Sequence, residues 1–371
     1  MASTAYPLGG EKLLHQLEQA LVRNAADLAL FFVYDRPSRA AERPGLVRTY
    51  FAQRCVSDEQ LDLMIDAFRS VGAYVELFEG EQPFISALAD GRIQRMEQSL
   101  KVAYNGIGWG IAFDGFKPGR KALIPLVADS YNLVCVNSDA YACALTVHKF
   151  HSFLVLAALG VQTPRTWHYR PPQGWIGNSP PFGARVIAKS TYEAWSVGVT
   201  EESVFDVDES CEARVAAIAE NIGQAVTVQE FIAGREVCVP VISCPERIVT
   251  PPMEAVMARA PGDPNAIMTI DDNLRKGAVS HRLFECSSTL MDRIRNSAMA
   301  VFEAFDLQGL TRIDFRVDEH ERPWVFDVAV DPGVGLKSSA FRSLSELGFD
   351  HAGFLRAVVA ATLGVQGLLV V

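Results

Sequence analysis

The sequence predicts an α/β unit followed by an α+β unit, and three observations carry that expectation. The first 140 or so residues alternate apolar, strand-like runs with helical stretches. The later half strings short strands together with few helices between them, and the join is an extended stretch rich in proline. Strands that alternate with helices imply a parallel sheet covered on both faces, whereas strands joined by turns imply antiparallel pairing.

Residues 11–24 read as a helix, and DLALFFVY (27–34) is the first strand, stopped by Asp35-Arg36-Pro37. Ser57-Asp58-Glu59-Gln60 resembles a capping box, opening a helix whose Leu61, Leu63, Met64, Ile65, Ala67 and Phe68 largely suit one buried face. Strand 73–78, helix 82–97, strand 101–105, helix 119–130 and strand 132–137 follow. One helix is expected from Ala140 through Lys149 to Leu159, ended by Gly160. RPPQGWIGNSPPFG (170–183) reads as a surface loop. Beyond it come strands 185–190, 226–232 and 236–242, helix 287–305, and strands 309–317 and 322–330.

Composition narrows the function. The chain has 371 residues, 49% hydrophobic and 21% charged, which is ordinary for a globular protein of two or three units. Its formal charge of −10 argues against a nucleic-acid partner, although a few lysines can still hold a nucleotide locally. Seven cysteines, at 55, 135, 143, 211, 238, 244 and 286, include no CxxC and read as reduced thiols. There is no basic-then-apolar leader and no apolar run of spanning length; residues 357–371 come nearest but are broken by Gly364, Gln366 and Gly367. A cytoplasmic protein without a membrane partner is the expectation.

Strand alternation gives the sharpest chemical signal. Arg312, Asp314 and Arg316 share one face of their strand, and Asp327, Ala329 and Asp331 one face of the next. If those faces coincide, three carboxylates and an arginine converge as hard oxygen ligands suited to Mg²⁺; an exposed face carrying salt bridges fits the same pattern. Lys189 closes the strand RVIAKS, and Ser196-Val197-Gly198 just beyond could offer N–H groups to a phosphate. A solvated strand end fits those residues too. GxxxxGK[ST] is absent, and GIGWG (106–110) fails the dinucleotide fingerprint because residue 111 is Ile. His148 and His151 lack the companions of a zinc site, and no GxSxG is present.

Taken in order, NSDAYACALTVHK (137–149), ARVIAKSTYEAWSVGV (184–199), VTVQEFIAGREV (226–237) and TRIDFRVDEHERPWVFDVAVDPGVG (311–335) resemble the ATP-grasp superfamily, in its D-alanine–D-alanine ligase-like branch. The resemblance spans about residues 27 to 360. It implies an N-terminal parallel-sheet domain (1–140), a central nucleotide lid (141–233) and a C-terminal antiparallel-sheet domain carrying the metal site (234–371). The implied activity is ATP- and Mg²⁺-dependent amide formation (Mn²⁺ could substitute) between a small carboxylate and an amine through an acyl phosphate. The alternatives are a non-catalytic ATP-binding protein or a small-molecule phosphotransferase. Many relatives are homodimers.

By the same resemblance, Lys149 and Lys189 hold ATP phosphates under a loop containing Ser196. Gln229, Glu230, Phe231 and Ile232 line the adenine, and Glu236 binds the ribose. Arg312 stabilises the transferring phosphoryl group, Asp314 and Asp327 hold magnesium, Lys276 reaches the γ-phosphate and Lys337 receives a substrate carboxylate. Four departures stand out. The usual Glu-x-Asn metal motif is Asp327-Val328-Ala329 here, so Asp331 is the expected replacement ligand. Trp195 stands where D-alanine–D-alanine ligases carry a serine, and TIDDNLRKG (269–277) lacks their tyrosine. Their early glutamate is not recognisable in YDRPSRAAERPG. The resemblance with these departures implies amino-acid-like substrates of specialised metabolism and not the D-alanine dipeptide.

Overall fold

The strand LALFFVY carries no polar residue before its tyrosine, and such a run is stable only where both faces of a sheet are covered. The computed structural model describes residues 10–37, 50–106, 118–136 and 138–371. In it β1 (Leu28–Tyr34) is wholly buried at the centre of a parallel sheet. Its neighbours are β2 (Tyr74–Glu79) and β3 (Leu100–Gly106), with β4 (Val134–Cys135) at the edge in the order β2-β1-β3-β4. Leu28, Leu30 and Phe32 pack with the helices Glu11–Arg23, Asp58–Arg69 and His351–Val365. Of the six apolar residues expected on the buried face of Asp58–Arg69, Leu63 alone is exposed. Ala29, Phe31 and Val33 pack with Phe84, Leu88 and Ile124 on the other face. The C-terminal helix thus completes the core of the N-terminal sheet. No single helix among the described residues is long and apolar enough to cross a membrane.

Two predicted helices differ in the structure. The one expected over 82–97 is Glu81–Ala89, because Gly91 turns the chain at φ +72° and a left-handed residue ends a helix. The single helix expected over 140–159 is two, Ala140–Val147 and Lys149–Ala158, bent by 103°. His148 takes a non-helical backbone (φ −91°, ψ 87°) and caps the second helix, and the Lys149 N–H donates outward to the Thr191 carbonyl at 3.1 Å. A run free of glycine and proline does not reveal such a break.

A second, antiparallel sheet runs β6-β5-β9-β7-β8. Its strands are β5 (Thr166–Arg170), β6 (Gly174–Trp175), β7 (Arg185–Ser190), β8 (Val204–Asp206) and β9 (Val226–Glu230). The stretch read as a loop over 170–183 therefore contains a two-residue strand. The helix Cys211–Ile222, which hydrophobic patterning did not single out, covers one face through Val215, Ala219 and Ile222.

The third sheet contains β10 (Arg235–Ser243), β11 (Arg247–Val249), β12 (Met253–Met257), β13 (Val279–Leu283), β14 (Leu310–Val317) and β15 (Pro323–Ala329). Its order is β13-β12-β10-β14-β15, with β11 paired to β10, and every pairing is antiparallel. Alternation sorts its side chains: Val237, Val239, Ile313, Phe315 and Val325 pack under the helix Ser288–Ala304. Glu236, Cys238, Arg312, Asp314 and Arg316 are left to the opposite face.

Candidate functional site

That opposite face is the floor of a cleft of about 1010 Å³ between the second and third sheets, walled by the N-terminal part of the chain. Lys149, Lys189, Ser196, Gln229, Glu230, Phe231, Ile232, Glu236, Lys276, Arg312, Asp314, Asp327, Asp331 and Lys337 all line it. These fourteen residues therefore reach one cavity, although their depths differ; Gly198, also expected there, is not among its lining.

The deepest part is charged. Asp314 stands directly opposite Asp327 in the β14–β15 register, and Arg312 opposite Ala329. Arg312 grips the Asp314 carboxylate through Nε at 2.8 and 3.1 Å and Nη2 at 2.7 Å. Burial raises the Asp314 pKa, with Asp327 adding to the rise and Arg312 opposing it. Two strand-borne carboxylates, one with its oxygens partly engaged and one facing the lysines, are a hard donor set that fits a single Mg²⁺ keeping several waters.

The expected third carboxylate is engaged elsewhere. Asp331 lies past the end of β15 and accepts from Lys121 Nζ at 2.7 Å, in a pair with side chains 9% and 15% exposed. Among the described residues no three His, Cys, Asp or Glu side chains sit together as a metal site. The cause is local: strand parity holds only while the strand continues, and β15 stops at Ala329.

Both lysines enter from the second sheet's side. Lys189 Nζ donates to Gln229 Oε1 at 2.9 Å and lies 4.9 Å from the centre of the Phe326 ring. Burial pushes its pKa down to about 8, helped by Lys149 and Arg316 and opposed by Asp327 and Glu236. Lys149, the first residue of its helix, donates to the Glu193 carbonyl. Its pKa is also lowered by burial, with Asp327 and Glu193 pulling the other way. A desolvated ammonium regains its favourable charge when an anion arrives.

At the other end Gln229 is buried, and its amide also donates to Thr166 Oγ1 at 3.2 Å, so its side chain is committed to the sheet. Glu230 is paired with Arg165 at 3.0 Å, and the Arg185 and Arg316 guanidinium groups lie 5.6 and 5.8 Å from the centre of the Phe231 ring. Ile232 follows, half-buried. Burial raises the Glu236 pKa against the pull of Arg316, 3.8 Å away. Arg316 is itself fixed by donating to the Gly234 and Ala266 carbonyls at 2.8 and 2.7 Å. It shared the parity of Arg312 and Asp314 in the sequence, so the signal was there.

The loop above the lysines is strained. Trp195 and Ser196 both take left-handed backbones, φ +63° and +56°, and Gly198 follows at +78°. Of the three N–H groups expected to face a phosphate, that of Val197 is taken by the Ala194 carbonyl at 3.3 Å. Asn273 Nδ2 donates to the Trp195 carbonyl at 3.1 Å and the Ile270 N–H to that of Val199 at 3.1 Å, tying the loop to the segment bearing Lys276. Lys276 and Lys337 are exposed at the rim. The loop YDRPSRAAERPG falls largely outside the described residues, as do Gly108, Gly110 and Asn137.

A parallel sheet followed by two antiparallel sheets that close on a cleft is the ATP-grasp fold, in the form taken by D-alanine–D-alanine ligases. Residues 180–360 match the family model described as D-ala D-ala ligase C-terminus. Among curated proteins, the D-alanine–D-alanine ligase of Bordetella petrii is 24% identical over 336 residues, covering 88% of this chain and 94% of that protein. That of Synechococcus sp. strain JA-3-3Ab is 26% identical over 235 residues, 62% of this chain and 69% of its own. Among solved structures, D-alanine–D-alanine ligase from Bacillus anthracis complexed with ATP superposes with a TM-score of 0.62 at 15% identity, covering 92% of this chain and 98% of that one. VanG D-Ala:D-Ser ligase from Enterococcus faecalis gives 0.57 at 13%, covering 90% and 99%.

Proposed function

We propose that the protein is an ATP-dependent carboxylate–amine ligase acting on amino-acid-like substrates. The observation that carries this reading is the convergence of Lys149, Lys189, Arg312, Asp314 and Asp327 on one cleft floor. The activities of the relatives, and the ATP complex of the Bacillus anthracis enzyme, support it. In this reading the segments 1–140, 141–233 and 234–371 act as a substrate wall, a nucleotide lid and a phosphoryl-transfer floor.

Lys149 and Lys189 receive the nucleotide phosphates, gaining charge stabilisation that burial otherwise denies them. Asp314 and Asp327 hold Mg²⁺, which when bound supplies charge neutralisation at the phosphates. Arg312, steadied by Asp314, donates hydrogen bonds to the phosphoryl group moving to the substrate carboxylate. Loop 191–199 excludes the water that would hydrolyse the acyl phosphate before an amine attacks it. Phe231 and Ile232 flank the base, Glu236 meets the ribose, and Lys276 and Lys337 act from the rim on phosphate and carboxylate. The half-buried Trp195 on the cleft wall favours an acid other than D-alanine.

Ala329, which has no ligating atom beside Asp327, favours one second reading: a protein that binds ATP without turning it over. Incubation with ATP, Mg²⁺ and pooled amino acids separates the two. ADP release confined to one pool, with a product mass equal to acid plus amine less water, establishes ligation. ATP binding without ADP release in any pool supports the second reading.

A further inference from the structure

Glu193 brings a buried carboxylate to the phosphate end of the cleft. It is 2% exposed, and its Oε2 accepts from Arg54 Nη1 at 2.6 Å in an ion pair whose side chains are 2% and 0% exposed. Arg54 ends the short helix Phe51–Arg54, 139 residues earlier in the chain. The Glu193 main-chain carbonyl accepts from the Lys149 ammonium, and its Oε1 is buried without a hydrogen bond. A recess of about 30 Å³ is lined by Arg54, Lys149, Glu193 and Asp327 together.

An ammonium anchored by one donor has two left for a ligand. A carboxylate with a spare oxygen beside that ammonium competes with any phosphate for it. In a poorly solvated recess such a carboxylate does not stay without a counter-charge. We propose that Arg54 is a positioning residue: by holding the Glu193 carboxylate in a buried ion pair it keeps that carboxylate off Lys149, so the ammonium stays anchored through the Glu193 carbonyl and open to phosphate. The wall contributed by the N-terminal part of the chain thereby sets the readiness of the nucleotide site. This rests on the reading that Lys149 meets a nucleotide phosphate.

Calorimetric titration of the whole chain with ATP and Mg²⁺, and separately with adenosine, tests it. In R54M the carboxylate turns to Lys149, and ATP affinity falls about ten-fold or more while adenosine affinity holds. In R54M/E193Q the competing charge is gone, and ATP affinity returns to within about three-fold of the parent. Equal ATP losses in the two variants overturn the proposal, as does an R54M variant that binds ATP like the parent. If R54M does not fold, the double variant, which leaves no carboxylate at 193 without its guanidinium, decides alone: near-parental ATP affinity supports the proposal, and a ten-fold loss with adenosine binding intact overturns it. A parent that binds no ATP removes the functional reading and this inference with it. A parent that binds ATP, with variants indifferent, removes the inference alone.

Discussion

Asp314 and Asp327 face one another across β14 and β15, and the register shifts immediately beyond Asp314. The shift lets Arg316 oppose Trp324 while both carboxylates stay beside the lysines of the cleft. The two aspartates are not equivalent, because Arg312 grips Asp314 alone. Asp327→Asn should abolish Mn²⁺ binding measured by electron paramagnetic resonance and lower the urea midpoint less than Asp314→Asn does, because relief of its repulsion with Asp314 offsets the attraction lost to Lys149 and Lys189. Asp314→Asn should do the same to the metal and also cost about 1–3 kcal/mol of stability, since the half-buried guanidinium loses its partner. Equal midpoints for the two variants would contradict this division.

Proton linkage at Lys189 has a definite sign. Its folded pKa of about 8 lies below the unfolded value of about 10.4. Its charge therefore opposes folding in full below pH 8, and the penalty fades as pH rises towards 10. An arriving phosphate raises the pKa again, so nucleotide binding should take up a proton at pH 8.5 to 9 and almost none at pH 7. Titrations in buffers of different ionisation enthalpy read this directly. Lys189→Arg, which stays charged, should cut the uptake to whatever share Lys149, also lowered by burial, contributes; an undiminished uptake there points to another group.

How far the sequence foretells this site depends on the range of the interactions. The Asp314–Asp327 pairing was legible because two alternating strands joined by DEHERP can form a hairpin, and alternation decides which side chains share a face. The bulge after Asp314 and the early end of β15 were not, since each depends on neighbouring strands. In the same way the pattern 140–159 shows helical residues but not the break at His148, which is stabilised by the Thr191 carbonyl 42 or so positions away in sequence. The Arg54–Glu193 pair had no local signature at all. The C-terminal helix looked like an apolar tail, yet Phe354, Leu355 and Val358 complete the core beneath β1.

Gly198 is required by both space and torsion. At φ +78° a side chain is strained, and a Cβ there would lie 2.6 Å from Ile222 Cγ2. Gly198→Ala should cost about 1–3 kcal/mol by urea unfolding. Gly119→Ala, where nothing among the described residues lies within 4 Å of the added carbon, should be close to neutral. A neutral Gly198→Ala would mean that the loop packs differently against the helix Cys211–Ile222.

Trp195 offers a separate handle on the acid substrate. Its carbonyl, not its ring, ties the loop to Asn273. Trp195→Ala should therefore keep ATP affinity within about three-fold while changing the KM for the preferred acid by about ten-fold or more, since an indole is a large share of a pocket wall. Parallel changes in ATP affinity and KM would instead assign the ring to the nucleotide.

Asp331 separates a metal ligand from a structural ion pair. Its carboxylate is held by Lys121, whose side chain is 9% exposed, and Tyr104 and Cys143 lie close enough to feel its charge. Removing the carboxylate takes a counter-charge from a buried ammonium, whereas a metal ligand would be missed only by the metal. Asp331→Ala should lower stability by about 1–3 kcal/mol and leave the Mg²⁺ dependence of ADP release unchanged. Lys121→Met should destabilise by a similar amount, and the double variant by less than the sum, as expected for two residues of one pair. A steep rise in the Mg²⁺ requirement of Asp331→Ala, with stability intact, would return Asp331 to the metal and make its contact with Lys121 secondary.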